Sequence, residues 1–222
     1  MVTRNLFHQE LTDLQDELLA LGSMAEKAIV EAMEALRDGD IRWSHKIIED
    51  DKRINARRYA IEEKVIFVIG SQQPMATDLR TLVSMLFITT DLERIADHAE
   101  GIARINTLLA GEPAPRRLGY IPAMADRAVQ MLRDSLKALI ERDAESARRI
   151  CEADDEVDRL QDSVYDECIK GMIDDPSTIQ RNTYLLWTAH NIERIADRCT
   201  NICERVIFLV TGDLVEINVS TY

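Results

Sequence analysis

The sequence predicts an all-α protein made of two tandem three-helix bundles, and three observations lead there. Apolar residues recur at spacings of three and four along almost the whole chain, the mark of amphipathic helices. Only 5 prolines and 8 glycines interrupt 222 residues, and most fall where helices should end. A shift of 103 lays "ALRDGDIRWSHKIIEDDKRIN" (35–55) on "ALIERDAESARRICEADDEVD" (138–158), keeping both a helix break and the apolar positions in register. A duplicated chain carries such internal self-similarity.

The elements follow in order. Leu11, Leu14, Leu18, Leu21, Ala25, Ala28, Ile29, Ala32 and Leu36 form one continuous stripe, so the first helix is long. Gly39 supplies a helix-ending residue and Asp40 the next N-cap, which opens a second helix over about 41–71. Pro74 is expected to open a third, running to about 110. The segment "GEPAPRRLGYIP" (111–122) holds three prolines and two glycines and reads as the linker. After it come a helix to about 141, Asp143 as an N-cap, a helix to about 173, a turn at "DDPS" and a last helix to about 211. In that last helix the shift becomes 100, so the turn before it is three residues shorter in the second copy. The expected domains are 1–111 and 118–213, packed end to end or side by side.

Composition narrows the function. Forty acidic residues against 27 Lys and Arg give a formal net charge of −13, which opposes unspecific attraction to nucleic acid or anionic lipid. The longest apolar runs, VIFVI (65–69) and VIFLV (206–210), are far shorter than the ~20 residues a membrane span needs, and the N-terminus lacks the pattern of a secretion signal. The expected location is the cytoplasm, with any membrane contact made through partners. Four cysteines, Cys151, Cys168, Cys199 and Cys203, lie on helical stretches of the second half and read as small buried apolar groups rather than a disulfide framework. No Ser/His/Asp or Cys/His arrangement, phosphate-cradling Gly-rich loop or basic-aromatic patch is present, and each of the four histidines stands alone.

The feature that asks for an explanation is ERIAD, written twice. "DLERIADHAEGI" (91–102) returns as "NIERIADRCTNI" (191–202), charges included. Within each copy Glu93 and Asp97, or Glu193 and Asp197, stand four apart and so share one helical face, where like charges repel. The second helix of each half carries its own pair spaced by four: Asp51 with Asn55, and Asp154 with Asp158. Counted from Pro74, Asp51 lies 23 residues before and Asp97 23 after, while Asn55 and Glu93 lie 19 on either side. Around Pro176 the corresponding pairs match within one residue. At about 1.5 Å of rise per residue, an antiparallel hairpin sets each group of four level. Oxygen donors converging in this way repel unless a cation joins them. A hard metal answers this: all-oxygen ligation suits Mn, Fe, Mg or Ca, and Zn accepts carboxylates too. Plainer readings are a solvated acidic face and neutralisation by Arg94 and Arg194. The Glu-x-x-His signature of oxygen-activating di-iron bundles is missing. Asn55 replaces a carboxylate, which makes the second site the fuller one.

At these residues the chain resembles the PhoU family. The likeness rests on the Glu-x-x-x-Asp motif in each half, the second-helix pairs, "QQPMATDLR" (72–80), "IPAMA" (121–125) and "NICERVIFLVTGD" (201–213). The resemblance implies two three-helix bundles and multinuclear iron or zinc clusters on Asp51, Asn55, Glu93, Asp97, Asp154, Asp158, Glu193 and Asp197. It implies no catalysis. It implies a cytoplasmic regulator that restrains the phosphate-starvation response by bridging the ATPase side of a phosphate ABC transporter and a sensor histidine kinase, and that self-associates as a dimer. Arg80 then becomes a candidate partner contact. The rival expectation is a carboxylate-bridged metalloenzyme, a hydrolase or oxidoreductase, which needs an open coordination position in a pocket.

Overall fold

The computed structural model describes residues 2–112 and 117–217, with side chains from Phe7 onward. Pro113 and Pro115 of the expected linker lie outside the described residues. Everything regular among the described residues is helical.

Helix α1 (Val2–Asp38) buries Leu14, Leu18, Leu21, Ala25, Ile29, Ala32 and Leu36. Gly39 then takes φ 67°, a conformation that costs glycine nothing. Asp40 caps α2 (Ile41–Gln72) by accepting a hydrogen bond from the Trp43 amide at 2.9 Å. Helix α3 spans Thr77–Leu108. It starts three residues later than Pro74 would set it. Gln73 is left-handed, and Ala76 sits at φ 49°, ψ −115°, so the chain reverses before it can coil. Near the other end of α3 the buried Asn106 amide donates to Ala35 O at 2.9 Å and to Ser44 Oγ at 2.7 Å. One side chain thereby ties α3 to the α1–α2 turn.

The second half repeats the plan with one departure. Helix α4 (Ile121–Glu141) ends on Arg142 at φ 52°, and Asp143 accepts from the Glu145 and Ser146 amides at 3.0 Å each. The single helix expected over 143–173 is interrupted at Ala153, giving α5 (Ala144–Glu152) and α6 (Asp154–Asp174). The Ala153 amide bonds to Ile150 O, and the Glu156 amide to Ala153 O, three-residue bonds that tighten the chain into a turn. The break places Asp154, Asp155 and Glu156 in the first turn of α6, where the helix dipole favours negative charge. Mid-helix they would have stood as an unrelieved acidic run. A 3₁₀ turn, Pro176–Thr178, leads into α7 (Ile179–Thr211), which Gly212 closes at φ 84°.

The halves lie side by side. Helix α3 packs along α7, and α1 along α4. At the second seam Gly22 lies against Leu136, where an added Cβ would fall 2.6 Å from Cδ1, and Arg133 pairs with Glu26 at 2.7 Å. The α3–α7 seam is antiparallel and nearly symmetric. Asp91 Oδ1 lies 3.3 Å from Asn201 Nδ2 and 3.5 Å from Arg198 Nη1. At the mirrored position His98 Nδ1 meets Asn191 Oδ1 at 3.1 Å, and Gly101 leaves room for Asn191. Residues 91, 98 and 101 thus answer to 191, 198 and 201 about a local two-fold. His98 is therefore partnered across the seam, which its isolation in the sequence did not announce.

Candidate functional site

Each ERIAD motif lies at mid-helix on α3 or α7, facing the middle helix of its own half. In the first half Asn55 donates to Asp51 Oδ2 at 2.7 Å. Arg58, one turn further along α2, donates to Glu93 Oε1 at 3.0 Å and to Glu62 at 2.8 Å. Arg94 donates to Asp97 Oδ2 at 3.1 Å, its Nε lying 3.6 Å from Glu93 Oε2. Burial, with Asp97, Glu100 and Glu93 close by, pushes the Asp51 carboxyl up to about 6. Asp51 Oδ1 and Glu93 Oε2 are buried and accept no hydrogen bond. Arg58 therefore neutralises part of this site from within while Asn55 donates a hydrogen bond to it, and nothing in the sequence spacing pointed to Arg58.

The second half differs because Gln161 stands where Arg58 stands in the first. Its cation is Arg194, whose Nη1 is 2.9 Å from Asp197 Oδ2 and whose Nε is 3.1 Å from Glu193 Oε2; His190 Nδ1 lies 3.4 Å from that oxygen. Glu193 is buried. Its Oε2 accepts no hydrogen bond of good geometry. Burial raises its carboxyl to about 7; Asp197 adds to the rise, Arg194 opposes it, and Asp158 and Asp154 add to it. Asp158 is raised too, by burial and then by Asp197, Asp155 and Asp162. All eight residues picked out by spacing thus gather in two groups of four, one in each half.

The groups are close without being closed. Among the described residues no three His, Cys, Asp or Glu side chains are placed to hold a metal ion. Arg94 and Arg194 stand among the carboxylates as the positive charge. The donor chemistry still suits a hard cation: the sets are oxygen-rich, and three of their buried oxygens accept no hydrogen bond, a state that is costly for a carboxylate. Beside the first group a cleft of about 160 Å³ runs between α1 and α2, bordered by Glu31, Asp50, Asp51 and Glu100 together with Lys27 and Arg53, over an apolar floor. At the equivalent place in the second half a cleft of about 270 Å³ is lined by Arg127, Lys137 and Arg149 together with Asp134 and Glu141.

The PhoU domain model matches residues 18–105 and again 121–206. The chain belongs to the PhoU family. A Clostridium acetobutylicum relative described as a phosphate-specific transport system accessory protein PhoU homolog is 40% identical over 218 residues, covering 98% of this chain and 100% of the relative. The crystal structure of the phosphate transport system regulatory protein PhoU from Streptococcus pneumoniae superposes with a TM-score of 0.88 at 31% identity, covering 95% of this chain and 99% of that one. PhoU from Pseudomonas aeruginosa gives 0.86 at 34% identity, covering 93% and 100%. The two matched PhoU segments are the two bundles, and each contains one acidic group of four.

Other residues picked out in this PhoU sequence have structural places. Arg80 donates to Thr77 Oγ1 at 3.2 Å and lies against Gly212 at the end of α7, where a cation offsets the carbonyl end of a helix. Cys151, Cys199 and Cys203 are fully buried, and all four cysteines are unbridged. Burial pushes the Cys168 thiol up to about 11 and the Cys199 thiol up as well. They pack as the small apolar groups the sequence suggested.

Proposed function

We propose that this PhoU-family chain is a metal-binding accessory regulator of phosphate uptake. In this reading it binds the ATPase subunit of a phosphate ABC transporter and a sensor histidine kinase, and represses the starvation response when phosphate is abundant. Relatives that match almost its whole length are named as accessory proteins of the phosphate-specific transport system, which supports the pathway. A role without catalysis accords with those names and with acidic groups that lie along open helix hairpins. No described helix is long and apolar enough to cross a membrane, so the transporter would be met at its cytoplasmic face.

The observation that carries the metal part is the buried Glu193 Oε2, which accepts no hydrogen bond while three further carboxylates crowd it. Asp154, Asp158, Glu193 and Asp197 would hold the ion. Asp51, Glu93 and Asp97, with Asn55 as a weaker amide donor, would hold the other. Iron or zinc is proposed, with manganese or magnesium as alternatives that all-oxygen ligation accepts. A bound cation supplies positive charge that now comes from Arg194, so ion and guanidinium compete for the same oxygens.

The test joins elemental analysis of untagged protein to a phosphate-starvation reporter in cells. Glu193→Gln with Asp197→Asn should fold, lose metal and relieve repression at high phosphate. Full repression by a metal-free, folded variant would remove metal from the regulatory mechanism.

A further inference from the structure

The α2–α3 turn carries the longest charge-free run in the chain, residues 65–77, VIFVIGSQQPMAT. Three large apolar side chains stand out from it: Ile66 is 63% exposed, Phe67 68% and Met75 81%. In water that exposure is unfavourable, and nothing in the bundle needs it, because Ile61, Val65 and Val68 already supply the inward face of the same stretch of α2. The turn is sharp, with Gln73 and Ala76 both at positive φ and the Gln73 amide bonded to Ile69 O at 3.2 Å.

The surroundings of this tip are acidic. Glu10 of α1 accepts from Gln72 at 3.2 Å. Glu63 is exposed one turn before Phe67, and Asp78 follows Met75 in the first turn of α3. Of the neighbouring cations Lys64 is paired with Glu17, and Arg80, which donates to the neutral Thr77 hydroxyl, keeps its charge on the side turned toward Gly212, so the rim is acidic on balance. An apolar tip with an acidic rim on a chain of net charge −13 repels an anionic bilayer. It also repels the same rim on a second copy. It matches an apolar pocket edged by Lys and Arg, the arrangement in which a few buried anchors carry most of the binding energy.

The duplication supplies an internal comparison. The equivalent α6–α7 turn also exposes Ile169 and Ile173, at 48% and 74%, but there Lys170, Asp174 and Asp175 break up the apolar surface, whereas residues 65–77 carry no charge inside their acidic rim. Because α3 and α7 run antiparallel, the two turns point to opposite ends of the molecule.

We propose that the α2–α3 turn, through Ile66, Phe67 and Met75, is a docking surface for a protein partner bearing an apolar pocket with a basic rim. The adaptor reading given above names that partner as the transporter's ATPase subunit, and the inference rests on it. The experiment measures binding of the purified ATPase subunit to the full chain, to Ile66→Ser/Phe67→Ser/Met75→Ser, and to the control Ile169→Ser/Ile173→Ser. Circular dichroism melts confirm that each variant folds, as substitutions of exposed groups should. The expected result is a loss of at least about tenfold in affinity for the first variant, with the control within about twofold, and binding that weakens as salt rises. Equal binding by the first variant and the unaltered chain overturns the docking surface while leaving the adaptor reading intact. Failure of the unaltered chain to bind the ATPase subunit overturns the adaptor reading and the docking proposal with it. Tip-dependent dimerisation, or tip-dependent sedimentation with phosphatidylglycerol vesicles, overturns the assignment of the occupant.

Discussion

Arg142 holds the left-handed backbone position that Gly39 holds 103 residues earlier, φ 52° against 67°. Both end the first helix of their half, and both precede an aspartate that caps the next. An L-residue with a side chain is strained there by roughly 1 kcal/mol. Arg142→Gly should therefore raise the melting temperature, by about 1–2 °C once the extra freedom glycine gains in the unfolded chain is subtracted. Arg142→Ala should not. Equal melting of the two variants would mean that the αL penalty is relieved locally.

The two acidic groups should lose metal unequally. In the first, Arg58 already holds Glu93 and Asn55 already holds Asp51; in the second, Glu193 and Asp197 share the single guanidinium of Arg194. Asp158→Ala should remove more bound metal than Asn55→Ala, read as metal per chain after dialysis against a weak chelator. Arg58→Gln should raise occupancy of the first site. Equal losses from the first two variants would make Asn55 a full ligand.

Without metal, the raised carboxyls set a pH dependence of definite sign. A carboxyl whose value is higher in the folded chain binds its proton more tightly there, so stability falls as pH rises between its unfolded and folded values and is level beyond them. For Glu193 that window runs from 4.5 to about 7, and for Asp51 from 3.8 to about 6. His98 works against this, since burial lowers its value and acid must charge it. The informative comparison is thus between variants. In chelator, Glu193→Gln should melt higher than the unaltered chain above about pH 8 and no higher near pH 4.5. A gap that persists at low pH would point to packing instead of charge.

The seams between the halves make a prediction about dissection. Residues 1–112 and 117–222, produced separately, should each be helical, because the first half packs α1, α2 and α3 together and the second packs α4, α5, α6 and α7. Mixed, they should form a one-to-one complex, because α3 and α7 bury apolar faces against each other along with Asp91, Asn201, His98 and Asn191. Size-exclusion chromatography with circular dichroism decides it. Two unfolded pieces would show that neither bundle is a folding unit.

Much of this arrangement was legible because it is periodic. Leu14 to Leu36 advertise one buried face, Asp40 and Asp143 are capping residues by chemistry, and the levels of Asp51, Asn55, Glu93 and Asp97 follow from rise per residue and a single turn. The rest depends on contacts that leave no periodic trace. Arg58 belongs to the first site only because α2 faces α3 at that height, and a lone arginine on a helix looks like any solvated charge. Ala153 interrupts a helix without proline or glycine, although Glu49, Asp50 and Asp51 at the same level of the first half lie in unbroken helix. His98 and Asn191, 93 residues apart, meet only once α3 and α7 are placed antiparallel, which the repeat alone does not require.

The local two-fold between α3 and α7 has a consequence for how such a chain can work as a spacer. Two identical subunits related this way must present identical ends, and any change in one appears in both. Fusion into one chain lifts that constraint. Asp91 could drift from Asn191, His98 from Arg198, and a charge-free tip from an acidic one, while the seam that holds the ends apart stayed nearly symmetric. Helix α3 has 32 residues, so the tips are separated by a rigid span of about 50 Å. Partners gripping the two ends of such a body would be held at that distance, and one grip could be altered by mutation without touching the other.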